Sequence, residues 1–228
     1  MSFPGFFLAA ALSAVLVFVW LKLRLALRAD YIRGYNFPAG LFGKLRIKYP
    51  DLTHKDCQLV SHALRHYFLA HLKSGYKFVS MPSQVADELW HEFILYTKEY
   101  ARFCDKAFGH FMHHTPAVVL SPSKESNEGL RRCWWYVCSE ENINPAKATR
   151  LPLLFALDAK LKIPNGFRYS VDCTAMKSNR AGGDGSVVHC GGDFSSSSFD
   201  GTTDGFGDGS SADGGGDGGG GGGGCGGD

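Results

Sequence analysis

Apolar residues are arranged along this chain in three ways, and each predicts a different kind of structure. The first is an unbroken run over residues 3–21, nineteen positions that include Pro4, Gly5 and Ser13 but no charge. A hydrocarbon core of about 30 Å needs roughly 20 residues of helix, and a helix satisfies its own backbone hydrogen bonds where water is absent. A cleaved secretory leader would carry a basic start, a shorter apolar stretch and a small-residue cleavage site. Here the first four residues hold no basic side chain, and Trp20 and Leu21 run straight into Lys22, Leu23 and Arg24. Residues 1–28 therefore read as an uncleaved transmembrane helix with a basic flank.

The second arrangement is a helical period, found over residues 51–173. Thr53 with Asp56 three positions on has the pattern of a capping box, and Leu59, Val60, Ala63, Leu64, Tyr67, Phe68 and Leu72 follow as one stripe until Ser74 and Gly75. Pro82 and Ser83 open a second stripe of Val85, Leu89, Trp90, Phe93, Tyr96, Tyr100, Cys104 and Phe108, which predicts a single helix over 83–108, stopped by Gly109. Ser121 and Pro122 start a third through Leu130, Cys133, Trp134 and Val137. Either Asn144 and Pro145 or Pro152 starts a fourth along Leu153, Leu154, Leu157 and Leu161, before a turn at Pro164, Asn165 and Gly166. No long alternation occurs, so the expected fold is mainly α, a small helical bundle with at most a short strand near residues 166–171.

The third arrangement is an absence. Residues 174–228 hold 21 of the 29 glycines, with serine and aspartate and hardly any large apolar side chain. Such a composition cannot bury enough surface to fold, and it predicts a disordered Gly/Asp/Ser tail. Calcium-binding nonapeptide repeats would need a regular aliphatic position, which this tail lacks.

Charge adds an orientation. The net charge is +2, but from residue 179 onward Arg180 stands against eight aspartates, a net of −7, so residues 1–178 carry +9. Much of that lies in a basic juxtamembrane segment, residues 29–50, and in Lys22, Arg24 and Arg28 before it. Because cytoplasmic flanks are enriched in Lys and Arg, the N-terminus is expected outside and the body in the cytoplasm, at the cell (inner) membrane. Besides the lipid bilayer itself, the basic collar would meet anionic lipid headgroups. Nucleic acid is not an expected partner, since no recognised binding motif accompanies the charges. The seven cysteines are odd in number and scattered, with no C-x-x-C pair, as fits free thiols in a reducing compartment.

Candidate chemistry concentrates on the second predicted helix. At 100° per residue Asp87 and His91 share one face, about 40° apart, while Trp90, Phe93, Tyr100 and Cys104 lie on another. Side chains at i and i+4 converge, as in metal-binding H-E-x-x-H helices. Two ligands do not make a site, so others must come from His113 or His114 beyond Gly109, or from His62 and His66, an i, i+4 pair on the preceding helix. Imidazole with carboxylate suits zinc or iron. The plainer alternative is a local Asp87–His91 ion pair worth about 0.2–0.5 kcal/mol. No catalytic residue and no Gly-rich phosphate loop is identifiable.

Several stretches also carry a resemblance. Met81-Pro82-Ser83 through Asp87-Glu88-Leu89-Trp90-His91-Glu92-Phe93 leads into Thr97, Tyr100, Phe103-Cys104, Gly109 and His113-His114-Thr115-Pro116. Trp134-Trp135, the run from Leu151-Pro152 to Leu157-Asp158, and Ile163-Pro164-Asn165-Gly166 before Tyr169 and Cys173 complete it. Over roughly residues 50–175 the chain resembles the glycine-rich domain-containing protein-like family. That resemblance implies a helical body with a Gly-rich C-terminus and no particular reaction. The expected function is therefore a non-enzymatic binding or scaffolding protein with an unknown protein partner. The alternative is a metal-binding enzyme or sensor using Asp87, His91 and a histidine from positions 113 and 114.

Overall fold

The computed structural model describes residues 3–114, 124–171 and 188–190. Among these are seven helices: α1 (Phe3–Arg33), α2 (Leu41–Lys48), α3 (His54–Lys73), α4 (Gln84–Leu95), α5 (Thr97–Ala107), α6 (Lys124–Glu140) and α7 (Leu153–Lys160). Two short strands follow, β1 (Arg168–Ser170) and β2 (Val188–Cys190). The fold is mainly helical, as its periodicity predicts.

Helix α3 is the hub. Thr53 and Asp56 form the capping box in both directions, with the Thr53 hydroxyl accepting from the Asp56 N–H and the Asp56 carboxylate from the Thr53 N–H. Every residue from 66 to 72 is buried, so this part of the helix is enclosed on all sides. α1, α4, α6 and α7 all pack against it. Phe68 sits at the centre, its ring 4.9 Å from Phe103 and 5.8 Å from Trp90.

One helix, α1, is long and apolar enough to cross a membrane, and none of its most apolar stretch is buried in the structure. Its C-terminal end behaves differently. Ala29 and Ile32 enter the core, and Arg33 donates from Nε to Glu140 Oε1 on α6 at 2.6 Å. Leu41 and Leu45 of α2 are fully buried as well. The basic segment 29–50 is thus built into the packed body, with Lys44, Arg46 and Lys48 on the surface. Its charges dominate a linear reading, but the i, i+4 spacing of Leu41 and Leu45 places both on one helical face.

Two further differences from the sequence expectations stand out. The helix predicted over 83–108 is two helices, broken at Tyr96 (φ −80°, ψ 59°). No proline or glycine marks the break. Packing differs on its two sides: α4 lies against α2, α3 and α7, whereas α5 lies mainly against α1 and reaches α3 through Phe103. The second difference concerns the region read as tail from residue 174. Residues 188–190 form β2, paired in parallel with β1 in the register Arg168↔Val188, Tyr169↔His189 and Ser170↔Cys190. A three-residue strand is too short to leave a period in the sequence. The expected short strand at 166–171 is β1. The rest of the tail, the Ser121–Pro122 helix start, Cys173 and Cys225 lie outside the described residues.

Helix α4 begins under close control. Ser83 is its N-cap, accepting from the Ala86 N–H at 3.2 Å. Asp158 of α7, itself buried, adds a second cap: it accepts from Ser83 Oγ at 2.7 Å and from the Gln84 N–H at 2.8 Å. Helix N-termini leave several N–H groups without partners, and here a carboxylate from another helix supplies them.

Candidate metal centre

Asp87 and His91 lie one turn apart on α4, and His91 Nδ1 is 3.8 Å from Asp87 Oδ2. His114 arrives from a separate element. After α5, Gly109 takes a positive φ of 81°, a conformation that glycine adopts without strain, and the chain turns back toward α4. Tyr100 anchors the returning segment: its hydroxyl donates to the Met112 carbonyl at 2.5 Å and accepts from Trp90 Nε1 at 3.1 Å. Two residues further on, His114 Nε2 lies 2.8 Å from Asp87 Oδ1. The His114 ring is 4.2 Å from the ring of His91 and packs edge-on to Trp90 at 4.5 Å.

One ligand atom from each of Asp87, His91 and His114 can be chosen so that all three lie within 4.8 Å of one another. Ligands on a single zinc or iron ion stand about 2.0–2.2 Å from the metal, so side-chain rotations of an ångström or so would close the set. His91 is the most open of the three, with 44% of its side chain exposed against 21% for Asp87 and 10% for His114. Glu88, paired with Lys48, is also 4.0 Å from His91 Nδ1.

Of the four residues singled out by sequence, the fold therefore gathers Asp87, His91 and His114. His113 is exposed and packs its ring on Phe111 at 4.9 Å. His62 and His66 are gathered elsewhere. Their rings are 4.4 Å apart, and His66 Nδ1 lies 3.3 Å from Glu141 Oε1, in a network where Arg33 and Lys73 both bind Glu140 and Arg150 binds Glu141. Burial alone would push the Glu140 carboxyl up, but the hydrogen bonds from Arg33 and Lys73 outweigh it and hold the group at about 2.

A cavity of about 140 Å³ adjoins the cluster, with Asp87 and Trp90 in its wall. His71 and His110 line it as well, and neither stands out in the sequence, where His71 reads as one more position of α3. Likewise the Trp90–Tyr100–Met112 relay is invisible before folding, since the two aromatic residues read simply as core.

The chain belongs to the UCP032817-like family, whose description matches residues 27–194. That span begins where α1 meets the body and ends just beyond β2. No curated protein and no solved structure matches the chain.

Proposed function

We propose that this is a membrane-tethered metal-binding protein in which Asp87, His91 and His114 hold one zinc or iron ion. The observation that carries the reading is the approach of His114, from beyond α5, to within 2.8 Å of Asp87, whose helical neighbour His91 already shares its face. Two imidazoles and a carboxylate form the donor set of open zinc sites and of non-haem iron sites, which keep positions free for water or a ligand. Sensing or hydrolytic chemistry would need such a position.

The membrane part of the reading is supported by continuity. α1 runs without a break from its apolar stretch into Ala29 and Ile32 of the core, so the body would sit directly at the headgroups with its N-terminus outside. Lys22 and Arg24 then lie at the depth where anionic lipids attract basic side chains. An impermeant thiol reagent added to intact cells tests the orientation: ready modification of Cys225 would place the body outside and overturn it.

Elemental analysis of the full-length protein, purified in detergent without a metal-binding tag, tests the site. Near-stoichiometric zinc or iron is expected, with loss of the ion in His114→Ala and in Asp87→Asn. A second reading rests on the same contact, because His114 and Asp87 can satisfy each other as a plain hydrogen bond. Protein that stays metal-free even after incubation with zinc or iron(II) would favour that reading, a non-enzymatic scaffold.

A further inference from the structure

Two contacts between α1 and α3 fix which end of the body lies toward the apolar run. Leaving that run, α1 meets the end of α3 first: Arg28 donates from Nη1 to Tyr76 Oη at 2.6 Å. Further on, the Tyr35 carbonyl accepts from Arg65 Nη2 at 2.8 Å and from its Nε at 3.0 Å. The two helices are therefore antiparallel, and the C-terminal end of α3 points back along α1. The turn after α5 joins it there. A side chain at Gly109 would collide with the Arg28 guanidinium, and the His110 ring packs edge-on to that of Tyr76 at 4.7 Å. The start of α3 is 20 residues away, about 30 Å along the helix. α2 sits at that far end, its Phe42 ring 5.5 Å from the ring of His54, and it carries Lys44, Arg46 and Lys48 there with it.

The leucines of α1 set the depth. Past the apolar run, Leu23, Leu25 and Leu27 remain 56%, 37% and 62% exposed, apolar surface that is unfavourable in water. From Leu21 to Leu27 is about 9 Å of helix, close to the roughly 5–7 Å of headgroup layer on each side of a bilayer. Body packing starts at the very next residues, with Arg28 half-buried and Ala29 buried. The end of the body that holds Arg28 thus begins where the headgroups stop.

We propose that this end, residues 75–77 and 109–111 together with Lys106, is a second membrane contact that rests on anionic phospholipid headgroups beside the helical anchor. Its side chains suit that partner. Tyr76 is 37% and Phe111 46% exposed, rings of the kind that settle at headgroup level. Lys77 and Lys106 are exposed beside them, against Asp105, and basic groups this close to the surface attract anionic lipid. The inference rests on the tethered reading for the presence of a bilayer and is independent of the metal centre.

The test uses the full-length protein in vesicles of phosphatidylcholine, alone or mixed with phosphatidylglycerol. The photoreactive residue p-benzoylphenylalanine replaces Phe111 or, as the far-end control, Ile47, which is 77% exposed on α2. After irradiation, lipid adducts are measured by mass spectrometry. Position 111 is expected to give several times more adduct than position 47, and more in the anionic vesicles than in phosphatidylcholine. Lys77→Glu combined with Lys106→Glu should lower the anionic yield by fivefold or more, each basic side chain at the surface being worth roughly fivefold in occupancy. Equal yields at 111 and 47, equal yields at 111 in the two vesicles, or a double variant that reacts like the wild type would overturn the proposal. Alkaline extraction separates the readings. Protein washed off the vesicles at high pH removes the tether and this inference with it, whereas retained protein without adducts at 111 removes the docked face alone.

Discussion

The carboxylate of Asp158 on α7 sits 2.7 Å from the hydroxyl of Ser83, the residue that starts α4. It also accepts from the N–H groups of Gln84 at 2.8 Å, Val85 at 3.3 Å and Phe167 at 2.9 Å. The helix that carries Asp87 and His91 is thus fixed from across the fold. Asp158→Ala would leave several buried donors unpaired, each costing about 1–3 kcal/mol. We expect a loss of roughly 3–5 kcal/mol, seen as a fall in Tm of about 10 °C. Ser83→Ala, which removes the Oγ bonds with the Ala86 N–H and with Asp158, should cost less, about 1–2 kcal/mol. Similar melting of Asp158→Ala and the wild type would mean that the cap contributes nothing.

Tyr100 should influence metal binding without touching the metal. Tyr100→Phe removes the hydroxyl that joins Trp90 Nε1 to the Met112 carbonyl, and so loosens the segment that brings in His114. Support of this kind around metal ligands is typically worth 10–100-fold in affinity. A zinc titration of both proteins decides the matter, and equal affinities would show that His114 is held by other means. Trp90→Ala, which empties a large aromatic site, should cost about 3–5 kcal/mol and threaten folding itself.

Acid should destabilise the protein in two stages. His71 stays neutral in the fold down to about 4, whereas an unfolded histidine takes up its proton near 6.5. The unfolded chain binds the extra proton between those values, so this contribution is complete above about pH 6.5 and is lost as pH falls toward 4. It is on the order of 3 kcal/mol. His110, whose ring is 6.3 Å away, disfavours the charged form further. Glu140, held at about 2 by Arg33 and Lys73 against the effect of its burial, adds a loss below about pH 4.5. Melting curves across pH should show both stages, and His71→Phe should flatten the upper one. An unchanged slope between pH 6.5 and 4 in that variant would assign the effect elsewhere.

Truncations should distinguish the two parts of the glycine-rich region. Deleting residues 195–228 removes glycine, serine and aspartate almost entirely, and hence little apolar area, the main source of stability. Tm should move by no more than about 2 °C. Deleting 179–228 also removes β2, the strand partner of β1, in which Tyr169 packs its ring on Phe155 at 4.9 Å. That protein should melt at least several degrees lower. Identical melting of the two truncated proteins would show that the strand pair carries no stability.

By itself the sequence determined the elements whose cause is local. The capping box of Thr53 and Asp56, the stripe on α3, the start of α4 at Ser83 and the stop at Gly109 all depend on residues within a turn or two of one another. The shared face of Asp87 and His91 was legible for the same reason, since helical geometry alone sets it. Tertiary structure decided what depends on distant partners. It broke the helix at Tyr96, between segments whose main neighbours differ. It drew Leu41 and Leu45 of the basic segment into the core and gave Arg168–Ser170 a partner in Val188–Cys190. It also chose His114 over His113, a choice that adjacent identical residues cannot carry in sequence. In the folded chain the Tyr100 hydroxyl holds the Met112 carbonyl two residues before His114, and it is His114 whose ring meets Asp87 on α4 while His113 packs on Phe111.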